Sequence, residues 1–350
     1  MSDYYNGSKL LSLKDINKQT PEIFISTSNR SAGKTTFFGK HLVNRFLKGE
    51  GKFILVYRYA YELNDVANKF FTDIHNLFFP NHVMSQKMRE KDTFAELYLQ
   101  DLKSDIEVPC GYAIAINKAD NIKKCSHLLS DATIMLFDEF QPESNQYCAN
   151  EITKFQSLHT SLARGNGEQV KYLPVIMISN FVSLLNPYYT ALHISERLQA
   201  NTNYLRGEGW VLEQGYNDTA SKAQKSSAFN RAFGDTTYNK FSSEVFYLND
   251  NNTFIKKLTG KNNYLFSLHF DNQWFGVRYF IESGFVYVNK TPDLSHNRKF
   301  AVSIEDMTED TVLFNRFDGH IAMLRQCFDR GAFRFADLTS KSAVLSMLSY

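Results

Sequence analysis

The chain has 350 residues and a mass of 40.4 kDa, a length that favours about two domains. Hydrophobic residues make up 43% and charged residues 22%, which is ordinary for a globular protein and excludes disordered, collagen-like and coiled-coil chains. Lys and Arg number 39 against 37 Asp and Glu. This near-neutral balance excludes a protein that coats nucleic acid through bulk positive charge.

The cysteine spacing and the lengths of the apolar segments indicate the cellular compartment of the protein. Cys110, Cys125, Cys148 and Cys327 lie far apart and form no Cys-x-x-Cys pair, so we expect no zinc site. The first residues lack the apolar core of a signal peptide. No apolar run approaches the roughly 18 residues that span a bilayer. We therefore expect a soluble protein of a reducing cytoplasm, without a membrane partner.

The first part of the chain, residues 21–186, alternates short apolar runs with amphipathic stretches. Strands are predicted at residues 22–27, 52–58, 132–140 and 174–181, and helices at residues 35–51, 61–78 and 151–163. Continuously apolar strands that alternate with helices predict an α/β fold with a mostly parallel sheet covered on both faces.

A different pattern begins near Gly207. Residues 215–237 are polar and rich in small side chains, as in a linker. Apolar alternation and tight turns then predict a three-stranded antiparallel meander at residues 263–290, followed by helices. We predict a first domain at residues 1–207, a linker subdomain at 208–237 and an α+β domain at 238–350.

Residues 28–35, SNRSAGKT, carry the most specific motif. They fit the phosphate loop G-x-x-x-x-G-K-[ST] between a strand and a helix, except that Ser28 replaces the first glycine. Backbone N–H groups in such a loop surround a β-phosphate, Lys34 reaches the β- and γ-phosphates, and the Thr35 hydroxyl binds Mg²⁺. The predicted nucleotide-binding residues here are Asn29, Arg30, Ser31, Ala32, Gly33, Lys34, Thr35 and Thr36.

Two acids at the end of an apolar strand are the expected partner of this loop. Residues 134–137 are apolar and run into Asp138 and Glu139, as in a Walker B strand. Asp138 is predicted to hold Mg²⁺ through water, and Glu139 to activate the attacking water. Solvated acids at a strand end are common, but the accompanying phosphate loop favours the catalytic interpretation.

Three further positions leave two interpretations open. Ser179 and Asn180 end an apolar strand, where α/β proteins bind ligands, so they either sense the γ-phosphate or cap the next element. Arg58 ends the second strand and either contacts the nucleotide or forms a structural salt bridge. Arg164 follows the third predicted helix, and it acts on a neighbouring subunit's ATP or balances the helix dipole.

Together these motifs resemble the DNA-packaging ATPases, terminase-like motors, of phi29-type tailed bacteriophages. The resemblance covers nearly the whole chain. It includes Tyr5-Asn6, residues 9–12, Arg30 with Gly33-Lys34, residues 53–63, 138–140 and 179–189, and the meander of the second domain.

The resemblance implies an ASCE-type P-loop ATPase domain, a linker and an RNase H-like, vestigial nuclease domain. It implies ATP hydrolysis with Mg²⁺ in a homo-oligomeric ring, typically a pentamer, docked on the capsid portal. Such a ring moves double-stranded DNA into a preformed prohead. A packaging RNA or a genome terminal protein is a further candidate partner. The implied location is the host cytoplasm and, transiently, the prohead, not the mature virion.

The resemblance also assigns roles to individual residues. Arg30 matches the arginine that precedes the Walker lysine by four positions. Arg164 matches a trans-acting arginine after Walker B. A family lysine in the loop before Walker B falls on Lys123 or Lys124, and Lys124 is our second candidate for the trans-acting residue.

Nuclease activity is not expected of the second domain. An RNase H nuclease needs carboxylates around two metals, one of them on the first strand, and residues 263–270 contain none. Asp271 and Glu282 fall in turns instead. We expect this domain to bind DNA, the portal or RNA through a basic face that comprises Lys256, Lys257, Lys261, Arg278, Lys290, Arg298 and Lys299.

Three other functions use the same loop. A helicase-like translocase without a packaging role is the main alternative. A small-molecule kinase lacks support because no acceptor lid is visible. A nucleotide-gated assembly protein without turnover is disfavoured by the intact Glu139.

Overall fold

The computed structural model describes residues 5–144, 146–164, 169–183, 186–194, 197–198, 202–233, 254–314 and 319–349. The chain divides into two compact units, Met1–Asn249 and Asp250–Tyr350. No helix in the described part of the chain is both long enough and apolar enough to cross a membrane.

The first unit alternates strands and helices. Its described helices are α1 Ser8–Ser12, α2 Lys34–Leu47, α3 Val66–Phe78, α4 Ala119–Lys124, α5 Glu151–Leu162, α6 Pro187–Ala191, α7 Asp218–Ser226 and α8 Ala228–Ala232. Its strands are β1 Ile23–Thr27, β2 Lys52–Tyr57, β3 His82–Arg89, β4 Phe94–Asp101, β5 Ile106–Ala115, β6 Ala132–Asp138, β7 Val175–Ser179, β8 Tyr204–Gly207 and β9 Trp210–Gln214.

These strands form one nine-stranded sheet in the order β3-β4-β5-β2-β6-β7-β1-β9-β8. The five pairings in the middle of this order, β5-β2, β2-β6, β6-β7, β7-β1 and β1-β9, are parallel. At the edges, β3, β4 and β8 pair antiparallel. One strand, β7, separates β1 from β6. The expected mostly parallel α/β sheet is confirmed.

Both faces of the sheet are buried, and side chains that alternate along each strand enter the two cores in turn. Ile25 on β1 and Met135 on β6 enter the core beneath α4, α5 and α6. Their neighbours Phe24 and Leu136 enter the opposite core, beneath α2 and α3. Apolar residues are therefore favoured on both faces of the central strands, which explains the apolar runs in the sequence.

The first sheet extends beyond the boundary expected at residue 207. Strand β9 falls in the predicted linker, yet it pairs with β1 in parallel from Trp210 to Gln214. A tight turn with Gly209 at φ 74 folds β9 back onto β8. Of the predicted linker at 208–237, residues 215–233 lie outside the sheet and contain α7 and α8. Residues 234–237 lie outside the described residues.

The second unit contains its own six-stranded sheet and a separate core. Its strands are β10 Asn262–Phe270, β11 Gln273–Phe280, β12 Phe285–Asn289, β13 Lys299–Ala301, β14 Val312–Leu313 and β15 Phe333–Phe335, and its helices are α9 Gly319–Asp329 and α10 Leu338–Ser349. The antiparallel meander β10-β11-β12 is confirmed. Strand β13 pairs parallel with β10, and β14 pairs parallel with β13. This order of five strands is that of the expected RNase H-like fold, and β15 extends it beside β12.

Close packing between β5 and β2 gives a stability prediction. A Cβ at Gly111 would lie 2.6 Å from the Phe53 carbonyl oxygen and 2.8 Å from the Phe53 ring. Gly111→Ala should therefore lower the free energy of unfolding by about 1–3 kcal/mol, as overpacking in a core does. Urea unfolding followed by circular dichroism measures this change.

Gly215→Ala is the matched control, because a Cβ there would meet only ordinary contacts at 3.7 Å. It should change the free energy of unfolding by less than about 0.5 kcal/mol. Equal stabilities of the two variants would contradict the close approach of β5 to β2.

Candidate nucleotide site

The predicted phosphate loop connects β1 to α2 in the required strand–loop–helix order. Helix α2 begins at Lys34 and is capped by Gly33, whose φ of 97 is a left-handed conformation that favours glycine. Ser31 is also left-handed, with φ 58. Alternation of this kind turns successive N–H groups toward a common concavity, which suits an anion at the helix N-terminus.

Lys34 is buried beneath this loop among neutral oxygens. Its ammonium group donates to Ser28 Oγ at 2.6 Å and to Asn180 Oδ1 at 3.4 Å. Burial lowers the pKa of Lys34 to about 8. A neighbouring phosphate would favour the charged ammonium and raise this pKa again. Ser28, which departs from the family glycine, thus supplies a hydroxyl partner for Lys34 that the motif alone does not indicate.

The two predicted magnesium ligands touch each other. Thr35 Oγ1 donates to Asp138 Oδ2 at 2.7 Å, and the Glu139 backbone N–H donates to Asp138 Oδ1 at 2.8 Å. Burial raises the pKa of Asp138, and burial together with the charge of Asp138 raises the pKa of Glu139. A divalent cation would reverse both shifts, and a hydroxyl and a carboxylate are the hard oxygen ligands that Mg²⁺ prefers.

These groups share one cavity of about 310 Å³, which we call the P-loop cavity. Ser179 Oγ is buried there and has no hydrogen-bond partner among the described residues. A phosphate oxygen would satisfy it, so the residues present fit a nucleoside triphosphate with Mg²⁺. The predicted residues that line the cavity are Arg30, Ser31, Ala32, Gly33, Lys34, Thr35, Thr36, Asp138, Glu139, Ser179 and Asn180.

Asn29, also a predicted nucleotide-binding residue, connects the phosphate loop to the segment after β9. Its side chain is buried, donates to the Asn217 carbonyl at 3.0 Å and accepts from the Asn217 N–H at 2.8 Å. Gln224 on α7 donates to Ser31 Oγ at 2.9 Å. The segment after β9 therefore holds the loop, a role for Asn217 and Gln224 that sequence reasoning missed because no local motif signals it.

Arg58 forms a structural salt bridge, which is one of the two roles that the sequence leaves open for it. Its Nε donates to Glu151 Oε2 at 2.9 Å, and both side chains are buried. Its Nη2 donates to the Phe140 carbonyl at 2.8 Å. Glu151 also accepts from the Tyr188 hydroxyl at 2.7 Å. Arg58 does not line the P-loop cavity, and a nucleotide contact for it stays a prediction.

The remaining predicted cations lie nearer the surface. Arg30 pairs with Glu143 at 2.7 Å, with about a third of each side chain exposed. Arg164 is exposed just beyond α5 and lines none of the cavities around the loop. On α4, Lys123 pairs with Asp120 at 2.7 Å, whereas Lys124 is exposed.

The second unit has no carboxylate on its first strand, β10. Asp306 in this unit is buried. Its carboxylate accepts from Ser303 Oγ at 2.8 Å, and its backbone carbonyl oxygen lies 2.5 Å from His269 Nδ1. These contacts tie the loop after β13 to β10. Among the residues of the expected basic face, the Arg278 guanidinium donates hydrogen bonds to Asn289 Oδ1 and to the Thr291 carbonyl.

The strand order and the loop between β1 and α2 define the first unit as a P-loop domain with the fold of an ATPase. The second unit adds an RNase H-like sheet. The chain belongs to the podovirus DNA encapsidation protein (Gp16) family, whose family model matches residues 1–348.

Curated relatives agree with this family over almost their whole length. The chain is 25% identical over 336 residues to the DNA packaging protein of Bacillus phage phi29, covering 95% of this chain and 93% of that protein. It is 26% identical over 316 residues to the DNA packaging protein of Bacillus phage B103, covering 87% and 90%. The resemblance stated from the sequence is confirmed, and so is a genome-packaging function at the level of the family.

Solved structures confirm the fold of the chain. The bacteriophage phi29 genome packaging motor assembly contains a chain that is similar with a TM-score of 0.66 at 21% identity, covering 99% of this chain and 100% of that one. The Phi-28 gp11 DNA packaging motor gives a TM-score of 0.61 at 18% identity, covering 100% and 99%.

The Arg58–Glu151 pair gives a stability prediction. Glu151→Ala would leave the buried guanidinium without its counter-charge, which costs about 3–5 kcal/mol in comparable pairs. Thermal unfolding should show a large decrease in Tm. Asp120→Ala is the control, because it removes the partner of Lys123 from an exposed pair and should change Tm little. An equal decrease in Tm for the two variants would contradict a stabilising role for the buried Arg58–Glu151 pair.

Proposed function

We propose that this protein is an ATP-hydrolysing motor that moves double-stranded viral DNA through the portal into a preformed capsid. The observation that carries the proposal is the group of Lys34, Thr35, Asp138 and Glu139 around one cavity, in a member of a DNA encapsidation family. A protein that only bound DNA would not need a buried ammonium beside two carboxylates at a helix N-terminus.

Each residue has a distinct part in the proposed reaction. The loop N–H groups and Lys34 bind the β- and γ-phosphates, and Ser179 and Asn180 contact the terminal phosphate. Thr35 and Asp138 would hold Mg²⁺, which neutralises charge on the phosphates when bound. Glu139, with its raised pKa, is suited to accept the proton of the attacking water.

The proposed ring places Arg164 at a neighbour's nucleotide. Identical subunits in a ring meet through head-to-tail contacts, so each P-loop cavity faces another copy. Arg164 is exposed and does not line the cavity of its own subunit, as a trans-acting residue requires. A guanidinium there stabilises charge on the transferring phosphoryl group. The second unit serves binding to DNA, the portal or RNA, without nuclease activity.

Substitutions in the P-loop cavity should separate binding from hydrolysis. Glu139→Gln should bind ATP with Mg²⁺ normally and lose turnover by about 10² to 10⁴, because the general base is removed. Lys34→Ala should weaken binding itself. Calorimetry measures binding, and phosphate release measures turnover.

Asp138→Asn is the companion variant, because it should weaken binding only when Mg²⁺ is present. Near-normal hydrolysis by the Glu139→Gln protein would overturn the assignment of Glu139 as the base. ATP turnover that packages no DNA into purified proheads would favour a helicase-like translocase.

Mixed rings test the trans-acting arginine. Arg164→Ala alone should bind ATP and lose about 10³ to 10⁵ in turnover. When it is mixed with Glu139→Gln subunits during assembly on proheads, activity should partly recover. In such rings an intact Glu139 can face an intact Arg164 across one junction.

Lys124→Ala mixed with Glu139→Gln in the same way tests the second candidate. Recovery with Lys124→Ala and none with Arg164→Ala would move the role to the lysine. The absence of recovery at every mixing ratio for both would exclude a trans-acting cation at these positions.

A further inference from the structure

Glu139, the proposed base, lies in a turn whose backbone conformation is unusual for its residue type. Its φ of 53 is left-handed, a conformation that residues with a Cβ rarely adopt. Such a conformation lowers stability and persists where the surrounding contacts fix it. The contacts made by the residues after Glu139 therefore bear on where its carboxylate lies.

Two hydrogen bonds join the turn after β6 to the loop after β7. The Phe140 N–H donates to the Ile178 carbonyl at 3.3 Å, next to the last paired residues of the two strands. One residue further on, Gln141 Oε1 accepts from the Ser183 N–H at 3.0 Å, and both of these residues are buried. Beyond the end of the sheet, the link between the two loops thus depends on the side chain of Gln141.

The segment to which Gln141 is bonded is itself fixed. The Ser183 carbonyl accepts from Asn186 Nδ2 at 3.0 Å, and Asn186 Oδ1 accepts from the Tyr189 N–H in the first turn of α6 at 2.9 Å. The Tyr189 ring lies against Phe140, with the ring centroids 5.9 Å apart. A contact to a rigid segment of this kind can hold a catalytic group in place.

Stability alone does not explain a glutamine at this position. Gln141 is 2% exposed, and its Nε2 has no hydrogen-bond partner of good geometry among the described residues. A buried donor without a partner lowers stability, and an apolar side chain would avoid that loss but would lack the bond to Ser183. The amide oxygen, which makes that bond, is therefore the atom that distinguishes glutamine from an apolar residue here.

Gln141 lies between the proposed base and the residues proposed to contact the terminal phosphate. It follows Glu139 by two positions, and its partner Ser183 follows Asn180 by three. Glu139 and Asn180 line the P-loop cavity, whereas Gln141 does not. Any effect of Gln141 on the reaction must therefore pass through the residues that it holds.

We propose that Gln141 is a positioning residue, which sets the place of the Glu139 carboxylate relative to the terminal phosphate by fastening the turn after β6 to the loop after β7. This inference rests on the proposed function, since it assumes ATP hydrolysis with Glu139 as the base. A displacement of about 1 Å at a catalytic group can lower a rate by about 100-fold.

Turnover measured with and without the Glu139 carboxylate tests the inference. Gln141→Met keeps the length of the side chain and removes the oxygen that bonds Ser183. In the full-length protein assembled on proheads, it should lower ATP turnover about 10- to 100-fold. Calorimetry with Mg²⁺ should show unchanged ATP affinity and an unchanged number of sites per subunit. In a Glu139→Gln protein the same substitution should cause no further loss of turnover, because the group that Gln141 positions is gone.

Gln156→Met is the matched control, because Gln156 is an exposed glutamine on α5. It should change neither turnover nor ATP affinity. Wild-type turnover by the Gln141→Met protein would overturn the inference. So would an equal loss of turnover on adding Gln141→Met to the wild-type and Glu139→Gln proteins, since Gln141 would then act on the site without acting through the base.

Gln141→Asn is a second variant, which tests the inference in the same way if the methionine variant does not fold. It keeps an amide but withdraws the oxygen by one methylene group, so it should lower turnover as Gln141→Met does. A wild-type protein that hydrolyses no ATP would contradict the proposed function itself. Wild-type turnover by the Glu139→Gln protein would contradict the role of Glu139, whatever the result with Gln141.

Discussion

The candidate site depends on the register of three adjacent parallel strands. Thr27 at the end of β1 pairs with Ser179 at the end of β7, and Asp138 at the end of β6 pairs with Ile178 of β7. Three strands therefore end at the same level, and the loop after β1 turns over the ends of the other two. This alignment lets Thr35 reach Asp138 across an intervening strand. A slip of one residue in β7 would turn its buried side chains to the opposite face and separate these groups.

Burial gives this site its electrostatic character. Burial lowers the pKa of Lys34 and raises the pKa of Asp138, and partial burial together with the charge of Asp138 raises the pKa of Glu139. Each shift disfavours the charged form that nucleotide chemistry needs. A polyphosphate beside the ammonium and a divalent cation beside the carboxylates would offset these shifts together. The free site is thus arranged for a ligand that carries both signs of charge, and a simple anion would satisfy only half of it.

Local patterns in the sequence predict much of the fold and the inner part of the site. Strands β1, β2, β6 and β7 each contain a run of at least three consecutive apolar residues because both faces of the sheet are covered, and such runs are easy to recognise. The phosphate loop and the Asp138-Glu139 pair are contiguous motifs. For that reason the sequence alone predicts that the residues from Arg30 to Thr36 share one site with these two acids, and all of them line the P-loop cavity.

Other features depend on contacts between distant parts of the chain. The antiparallel strands β3 and β4 are not among the predicted strands, and many of their residues are polar or half-buried. Strand β9 lies in the predicted linker, because the change of sequence pattern near Gly207 places the predicted boundary before it. Its pairing with β1 is what defines it. Arg58 ends a strand in the way a ligand-binding residue does, yet Glu151 on a distant helix occupies its guanidinium.

The central position of β1 has a consequence for the synthesis of the protein. Strand β1 is made early, but its two neighbours, β7 and β9, are the Val175–Ser179 and Trp210–Gln214 segments. Both pairings close long loops, which makes them slow steps in folding. Until Gln214 has left the ribosome, β1 lacks one neighbour and the phosphate loop lacks its contact with Asn217. A nascent chain that has already completed both sequence motifs therefore still has no finished nucleotide site, and chains interrupted before this point would expose an unpaired apolar strand edge.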